Sequence, residues 1–277
     1  MTGRWISRLL GLHSWAVYVF FYAPIAVLVF LSFNDNRLVT VWTGASLRWY
    51  REMLENDQVL SAIRNSLIVA GVSTVISVVL GTAAALGLER FRWRGRRLFD
   101  GLLYLPIIIP DVTMAVMMLL FFVQVFGLVE LAFGPKIGLG LATISLSHVA
   151  FNISFVAVVV RARLAGLDPA LEEAAADLYA DRRQAFLHVT LPLIMPGVLG
   201  GALLALTLSL DDVVITSFVS GPGSTTLPVY VFGLVKRGVT PLINAVSTVM
   251  LVASMLLVFV SLIFQRGDGK VPQSTRQ

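Results

Sequence analysis

"NSLIVAGVSTVISVVLGTAAALGL", residues 65 to 88, runs on without one charged side chain. A helix needs about 20 apolar residues to cross the hydrocarbon core of a bilayer, so this stretch is long enough to span it. It lacks the alternating polarity of a barrel strand. A segment in lipid must then close its backbone hydrogen bonds within itself, which makes it a helix. Five more windows of this kind lie at 14–33, 101–125, 139–160, 194–217 and 241–264. The whole chain of 277 residues agrees: 57% is hydrophobic, 13% is charged and the mean hydropathy is +0.85, outside the range of a soluble domain. The expected fold is an all-α membrane protein, a bundle of six transmembrane helices. Small-residue runs, "LGTAAALG" at 80–87 and "GVLGGALLA" at 197–205, let such helices approach closely.

The window at 14–33 follows Arg4 and Arg8 as a signal peptide would. Its apolar stretch is long, however, and "FLSFNDN" offers no small-residue cleavage site, so it counts as a span. Arginine and lysine give the direction. With the N-terminus inside, 14 of the 21 basic residues fall on inside segments, five of them in "RFRWRGRR" at 90–97, and 7 fall outside. This bias predicts both termini in the cytoplasm. The expected organisation is a cytoplasmic segment 1–13, a membrane domain of six helices at 14–264 that contains a long cytoplasmic loop at 163–197, and a cytoplasmic tail 265–277. Trp42, Trp49 and Tyr50 fall where an outer aromatic belt would lie, and "SLRWYREML" has the pattern of a short amphipathic helix.

Several chemistries are excluded or left without residues. There is no cysteine, so neither disulfides nor thiolate metal sites can form. His13, His148 and His188 are too widely spaced to suggest a metal cluster. The cytoplasmic loops carry no Ser/His/Asp constellation, so no catalytic residue and no enzymatic activity is expected. No GxxxxGK[ST] phosphate cradle exists either. The net charge of +5 reflects loop arginines facing a membrane rather than a nucleic-acid partner.

The loop "RLAGLDPALEEAAADLYADRRQAFLHVTLPLIMPG", residues 163 to 197, carries helix signals. Asp168 reads as an N-cap and Pro169 as the first helical residue, with Glu172 and Glu173 in the first turn where the helix dipole favours them. Leu171, Ala175 and Leu178 recur at helical spacing. A second amphipathic piece, 186–189, leads to Pro192 and Pro196, which are expected to interrupt passage into the next span.

"EEAAADLYA", then "F", then "VTLPLIMPG" resembles the EAA loop of permease subunits of bacterial ATP-binding-cassette importers. Six spans with both termini inside agree with that resemblance, which covers essentially the whole chain. It implies that the loop forms coupling helices seated in a cytoplasmic ATPase dimer, which binds ATP and Mg while this chain carries no cofactor. Glu173, Ala174 and Ala175 match the triplet that gives the loop its name, and Leu191 and Pro192 match its closing Leu-Pro. Tyr179 stands where the family usually has glycine, so helix continuation or an aromatic contact with the ATPase is expected in place of a tight turn.

Two adjacent aspartates, Asp211 and Asp212, sit in the oily "LSLDDVVITSF" at 208–218. A carboxylate in hydrocarbon must be paired, neutralised or wetted. Ser209, Asp212 and Thr216 fall on one helical face. Consecutive residues point about 100° apart, so one aspartate is expected to line a path while the other pairs with backbone or subunit. Asp111, after Pro110, admits two readings: a cap for amides freed at the proline, or a second carboxylate on the path. These acids suit a cationic cargo, and no basic residue lies in the apolar core of a span to favour an anion. "SFND", "LVTVWTGASLRWY" and "LTLSLDDVVITSFVSGPGSTTLPVYVFGLV" are similar to the permeases of polyamine importers. "LVTVW" and "SGPGSTTLP" resemble the putrescine branch more than the spermidine branch. The resemblance implies a second permease subunit that makes a heterodimer with this one, an extracytoplasmic polyamine-binding protein, and a place in the bacterial inner membrane. Gly221, Pro222 and Gly223 predict a nonhelical turn at the outer mouth, as a gate or as a seat for the binding protein. A spermidine permease is the near alternative. An ion-coupled carrier of organic cations is a further one, but it leaves the 163–197 loop without a purpose.

Overall fold

A computed structural model describes the backbone of residues 2–134, 136–168, 170–238 and 240–267. Its helices are α1 (Thr2–Leu31), α2 (Arg48–Glu55), α3 (Asp57–Arg90), α4 (Arg96–Ile108), α5 (Asp111–Phe133), α6 (Leu141–Leu164), α7 (Ala170–Asp177), α8 (Arg182–Ala185), α9 (Leu191–Asp211), α10 (Val214–Val219), α11 (Leu227–Arg237) and α12 (Pro241–Gly267). A π turn, Phe186–Thr190, joins α8 to α9. No strand occurs among the described residues; Asn34 and Ala45 form one isolated antiparallel bridge. Pro169 and the tail beyond 267 lie outside the described residues.

Five helices are long and apolar enough to cross a membrane: Trp5–Leu31, Asp57–Arg90, Asp111–Phe133, Leu141–Leu164 and Arg182–Asp211. The window at 241–264 falls on α12, whose stretch Pro241–Leu256 is apolar. The backbone sets no boundary between 1–13 and the first span, because α1 is continuous from Thr2. The window at 101–125 is two helices. Ile109 leaves α4 in an extended conformation and Pro110 precedes α5, since proline disfavours a helical residue before it and brings no amide donor.

The passage from the loop into α9 differs from expectation. Pro192 was expected to interrupt it, yet the helix runs without a gap from Arg182 to Asp211. The N–H of Leu191 reaches back five residues to the carbonyl of Phe186. This wider turn shifts the hydrogen-bond register just before Pro192, which then occupies the first turn of α9, where no donor is needed.

The contacts divide the chain into two units, Met1–Leu60 with Val231–Met255, and Ser61–Tyr230 with Leu256–Gln277. In the first, the loop after α1 is folded around Asn34. Its side-chain amide donates to the carbonyl of Val41 at 2.8 Å and its Oδ1 accepts from the amides of Asn36 and Thr43. Trp49 on α2 is 3% exposed, and its indole N–H donates to the carbonyl of Asn34 at 2.6 Å. It is therefore a core residue and not part of an aromatic belt. Trp42 stacks on Phe30 at 4.4 Å, and the hydroxyls of Tyr50 and Ser32 lie 2.6 Å apart.

In the second unit, α3, α6 and α9 meet in levels one helical turn apart. At one level a Cβ on Gly81 would stand 2.8 Å from Val156 Cβ, and a Cβ on Gly201 would stand 3.2 Å from Val156 Cγ1. Glycine on both sides thus lets α3 and α9 close on one valine of α6. A turn away, the amide of Asn152 donates to the carbonyl of Ala205 at 3.3 Å. One turn further, at Ser73, His148 and Ser209, the level is entirely polar.

Candidate functional site

The polar level lies where α9 stops. Asp212 leaves the helix with ψ 126°, and α10 starts two residues later. The Asp212 carboxylate fills the gap. Its Oδ1 accepts from the amide of Ile215 at 3.2 Å, and its Oδ2 accepts from the amide and the hydroxyl of Thr216, each at 2.7 Å. The amides that a new helix leaves open at its start are thereby satisfied from one side chain. His148, fully buried on α6, brings Nε2 to 3.3 Å from Oδ2 and 3.0 Å from the Thr216 hydroxyl, while Nδ1 lies 2.6 Å from Ser209 Oγ. A carboxylate can only accept, so Nε2 donates toward Asp212. Ser209 in turn lies 3.1 Å from Ser73 Oγ on α3.

The cluster brings together three of the residues that the sequence singled out, Ser209, Asp212 and Thr216, though not through one continuous helical face. They converge because the helix breaks between them. Asp211, the last residue of α9, is exposed and makes no side-chain hydrogen bond among the described residues; Asp111 at the start of α5 is the same. Of the two readings of Asp111, the cap is thus not formed. His148 and Ser73 were missed. A histidine in an apolar window poses the same question as a carboxylate there, and that signal was available in the sequence.

At the end of α3 a second polar cluster fastens the 163–197 loop. Both terminal guanidinium nitrogens of Arg90 donate to the Glu172 carboxylate, Nη1 to Oε2 at 2.7 Å and Nη2 to Oε1. Thr190, buried at the end of the π turn, donates its hydroxyl to Glu172 and lies 3.2 Å from Arg90 Nη2. The Arg90 hydrogen bonds hold the Glu172 carboxyl below the usual carboxylate range, helped by Thr190 and opposed by partial burial. Beside it Arg161 spans Glu89 at 2.8 Å and Asp100 at 2.5 Å, joining the ends of α3, α4 and α6. A cavity of about 230 Å³ lies between this cluster and Leu164, Leu167, Leu171 and Leu193.

On α7, Glu173 and Ala174 are exposed and Ala175 is half-buried. The helix neither continues nor loses its turn at Tyr179. The amide of Tyr179 bonds to the carbonyl of Ala176 at 2.9 Å, that of Ala180 to the carbonyl of Ala175 at 3.0 Å, and Tyr179 itself has φ 62°. This is a Schellman ending with tyrosine in the left-handed position that glycine normally takes. The expected helix continuation is thus corrected, and the side chain, 96% exposed, meets nothing among the described residues. Asp181 and Gln184 then cap α8 reciprocally. Leu191 is half-buried against the α6 core, while Pro192 is exposed.

Gly221, Pro222 and Gly223 form the nonhelical turn expected of them, with Gly223 at φ 76° and the amide of Ser224 bonded to the carbonyl of Gly221 at 3.1 Å. The turn is pinned. Asn65 on α3 donates to the carbonyls of Gly223 and Thr225 at 2.9 and 3.0 Å, and a Cβ on Gly221 would collide with the carbonyl of Leu139.

Residues 77–267 match the family model described as binding-protein-dependent transport system inner membrane component. The chain is 46% identical to the putrescine transport system permease protein PotI of Escherichia coli (strain K12), over 88% of this chain and 86% of that protein. It is 37% identical to the spermidine/putrescine transport system permease protein PotC of the same strain, over 96% of this chain and 97% of that one. Among solved structures, a bacterial ABC transporter involved in the import of the acidic polysaccharide alginate has the same fold, with a TM-score of 0.78 at 19% identity over 96% of both chains. The chain is a multi-pass membrane protein and belongs to the family of binding-protein-dependent transport system inner membrane components.

Proposed function

We propose that this chain is one of two transmembrane subunits of an ATP-driven polyamine importer, with putrescine as its cargo. The observation that carries the reading is the 46% identity to a putrescine permease across 88% of the chain. The similarity to a spermidine/putrescine permease favours spermidine as a second cargo. In this reading the six expected spans, 14–264, form half of a bundle with both termini in the cytoplasm. The other half comes from a second, related permease. An extracytoplasmic binding protein delivers the polyamine, and a cytoplasmic ATPase dimer holds the ATP and Mg.

The loop supports the division of labour. Glu173, Ala174 and Tyr179 face away from the chain and would meet the ATPase, while Leu191 and Pro192 lead into α9. The aspartates divide likewise. Asp212 has its oxygens filled from within, and with Ser209, Thr216 and His148 it frames the break at the end of α9. Asp211 stands at that break with its carboxylate free of partners among the described residues, and we assign the path to Asp211 and Asp111. Two such carboxylates would offset the hydration that a dication loses on entering. The pinned turn at Gly221, Pro222 and Gly223 serves better as a seat for the binding protein than as a moving gate.

The test is transport by the assembled complex in proteoliposomes. Putrescine should enter only with ATP and the binding protein, spermidine more slowly, and an anionic control not at all. Uptake that survives without ATP but collapses with the proton gradient would replace this reading with an ion-coupled carrier.

A further inference from the structure

Two neighbouring glutamates at the start of α7 have different tasks. Glu173 is exposed, whereas Glu172 is tied by Arg90, the last residue of α3, and by Thr190, the last residue of the π turn before α9. One carboxylate therefore joins the first helix of the loop to two helices that cross the membrane. Packing gives α7 only a shallow hold. None of its described residues is buried, and the cavity of about 230 Å³ lies beneath it. A bidentate guanidinium pair supplies what packing does not, because two parallel hydrogen bonds fix direction as well as distance. The anchor is braced in turn. Glu89, next to Arg90, is held by Arg161, which also holds Asp100 of α4.

We propose that Arg90, Glu172 and Thr190 form a strap that carries movement of the loop into α3 and α9, and so set how much cargo crosses per ATP hydrolysed. They are positioning residues. The proposal rests on the reading of the 163–197 loop as the ATPase contact, but it assigns the strap no part in holding the ATPase. Displacement of α7 by the partner pulls on both membrane helices at once while the strap is closed. With the strap open, α7 moves and the bundle does not follow.

The experiment measures uptake of putrescine and hydrolysis of ATP in the same proteoliposomes containing the complete transporter. Glu172→Gln and Arg90→Gln should lower the ratio of cargo to ATP by about fivefold or more, in the range of ordinary coupling energies. The ATPase should still copurify with both variants. Thr190→Val should lower the ratio less. The double reversal Arg90→Glu with Glu172→Arg should recover the ratio well above either single reversal, which a general loss of folding would not allow. An unchanged ratio in Glu172→Gln overturns the strap, as does a double reversal no better than the single ones, or loss of the ATPase from the Glu172→Gln complex. Failure of the underlying reading has a separate sign: Glu173→Lys would keep its ATPase and transport normally.

Discussion

The two carboxylate clusters, at Asp212 and at Glu172, use similar parts for opposite ends. Each sets an acid against a basic side chain and a threonine hydroxyl. Asp212 lies within the apolar stretch, is 11% exposed at its side chain, and takes most of its bonds from residues three and four further along the chain. Glu172 is 34% exposed and takes its bonds from residues 82 and 18 positions away. A carboxylate deprived of water must be fully satisfied at all times, so the Asp212 cluster fixes one geometry. A half-exposed pair can open, because water takes the place of the lost partner. The comparison teaches that one cluster is a frame and the other a fastener.

The largest effect should follow from breaking the frame. Asp212→Ala leaves the Thr216 hydroxyl and two backbone amides without their acceptor in a buried place and removes the carboxylate partner of His148, a loss of about 3–5 kcal/mol. The variant should be recovered poorly as an assembled complex and melt earlier in detergent. Normal assembly with selectively lost uptake would return Asp212 to the path. Its neighbour provides the contrast. Asp211→Asn should assemble normally and import putrescine about tenfold more slowly, as expected when one charge-assisted contact with cargo is lost. Equal damage to assembly from both variants would erase the distinction between them.

A smaller effect is expected at the end of α7. Tyr179→Gly relieves a left-handed tyrosine and should steady the helix by about 1 kcal/mol, visible as slower amide exchange over residues 170–177. Weaker ATPase binding by that steadier variant would show that the exposed ring is kept for the partner. The smallest effect is one of pH. The Glu172 carboxyl lies below its ordinary range in the folded chain, so its contribution is present above that range and is lost as the pH falls through the lowered value. The protection of the α7 amides, taken relative to their intrinsic exchange rate at each pH, should fall on acidification in the wild type and stay flat in Glu172→Gln. A wild type that is equally flat would mean that the fastener does not hold α7.

The sequence showed the helices better than their joints. The long apolar helices, the amphipathic α2, the turn at Gly221 to Gly223 and the loop helices all follow from local properties, such as runs of apolar residues, Pro and Gly at special positions, and acids in a first turn. The break at Asp212 escaped it because no proline or glycine marks the place. It forms where His148, 64 residues earlier in the chain, meets the carboxylate. The strap escaped for the same reason, since Arg90 looked like one more arginine of "RFRWRGRR" and Glu172 like one more acid favoured by a helix dipole.

What the amino-acid sequence determined by itself was the solvent and the helical segments, but not every break between them. Hydropathy and helix signals are sums over neighbouring residues, and those neighbours are fixed by covalent bonds. Only the tertiary structure decided which aspartate is buried and which is free, that Tyr179 keeps a turn meant for glycine, and that Glu172 faces inward while Glu173 faces out. Each of these depends on partners distant in the chain or on the backbone path between elements. Adjacent residues of the same chemistry therefore come to lie in different surroundings.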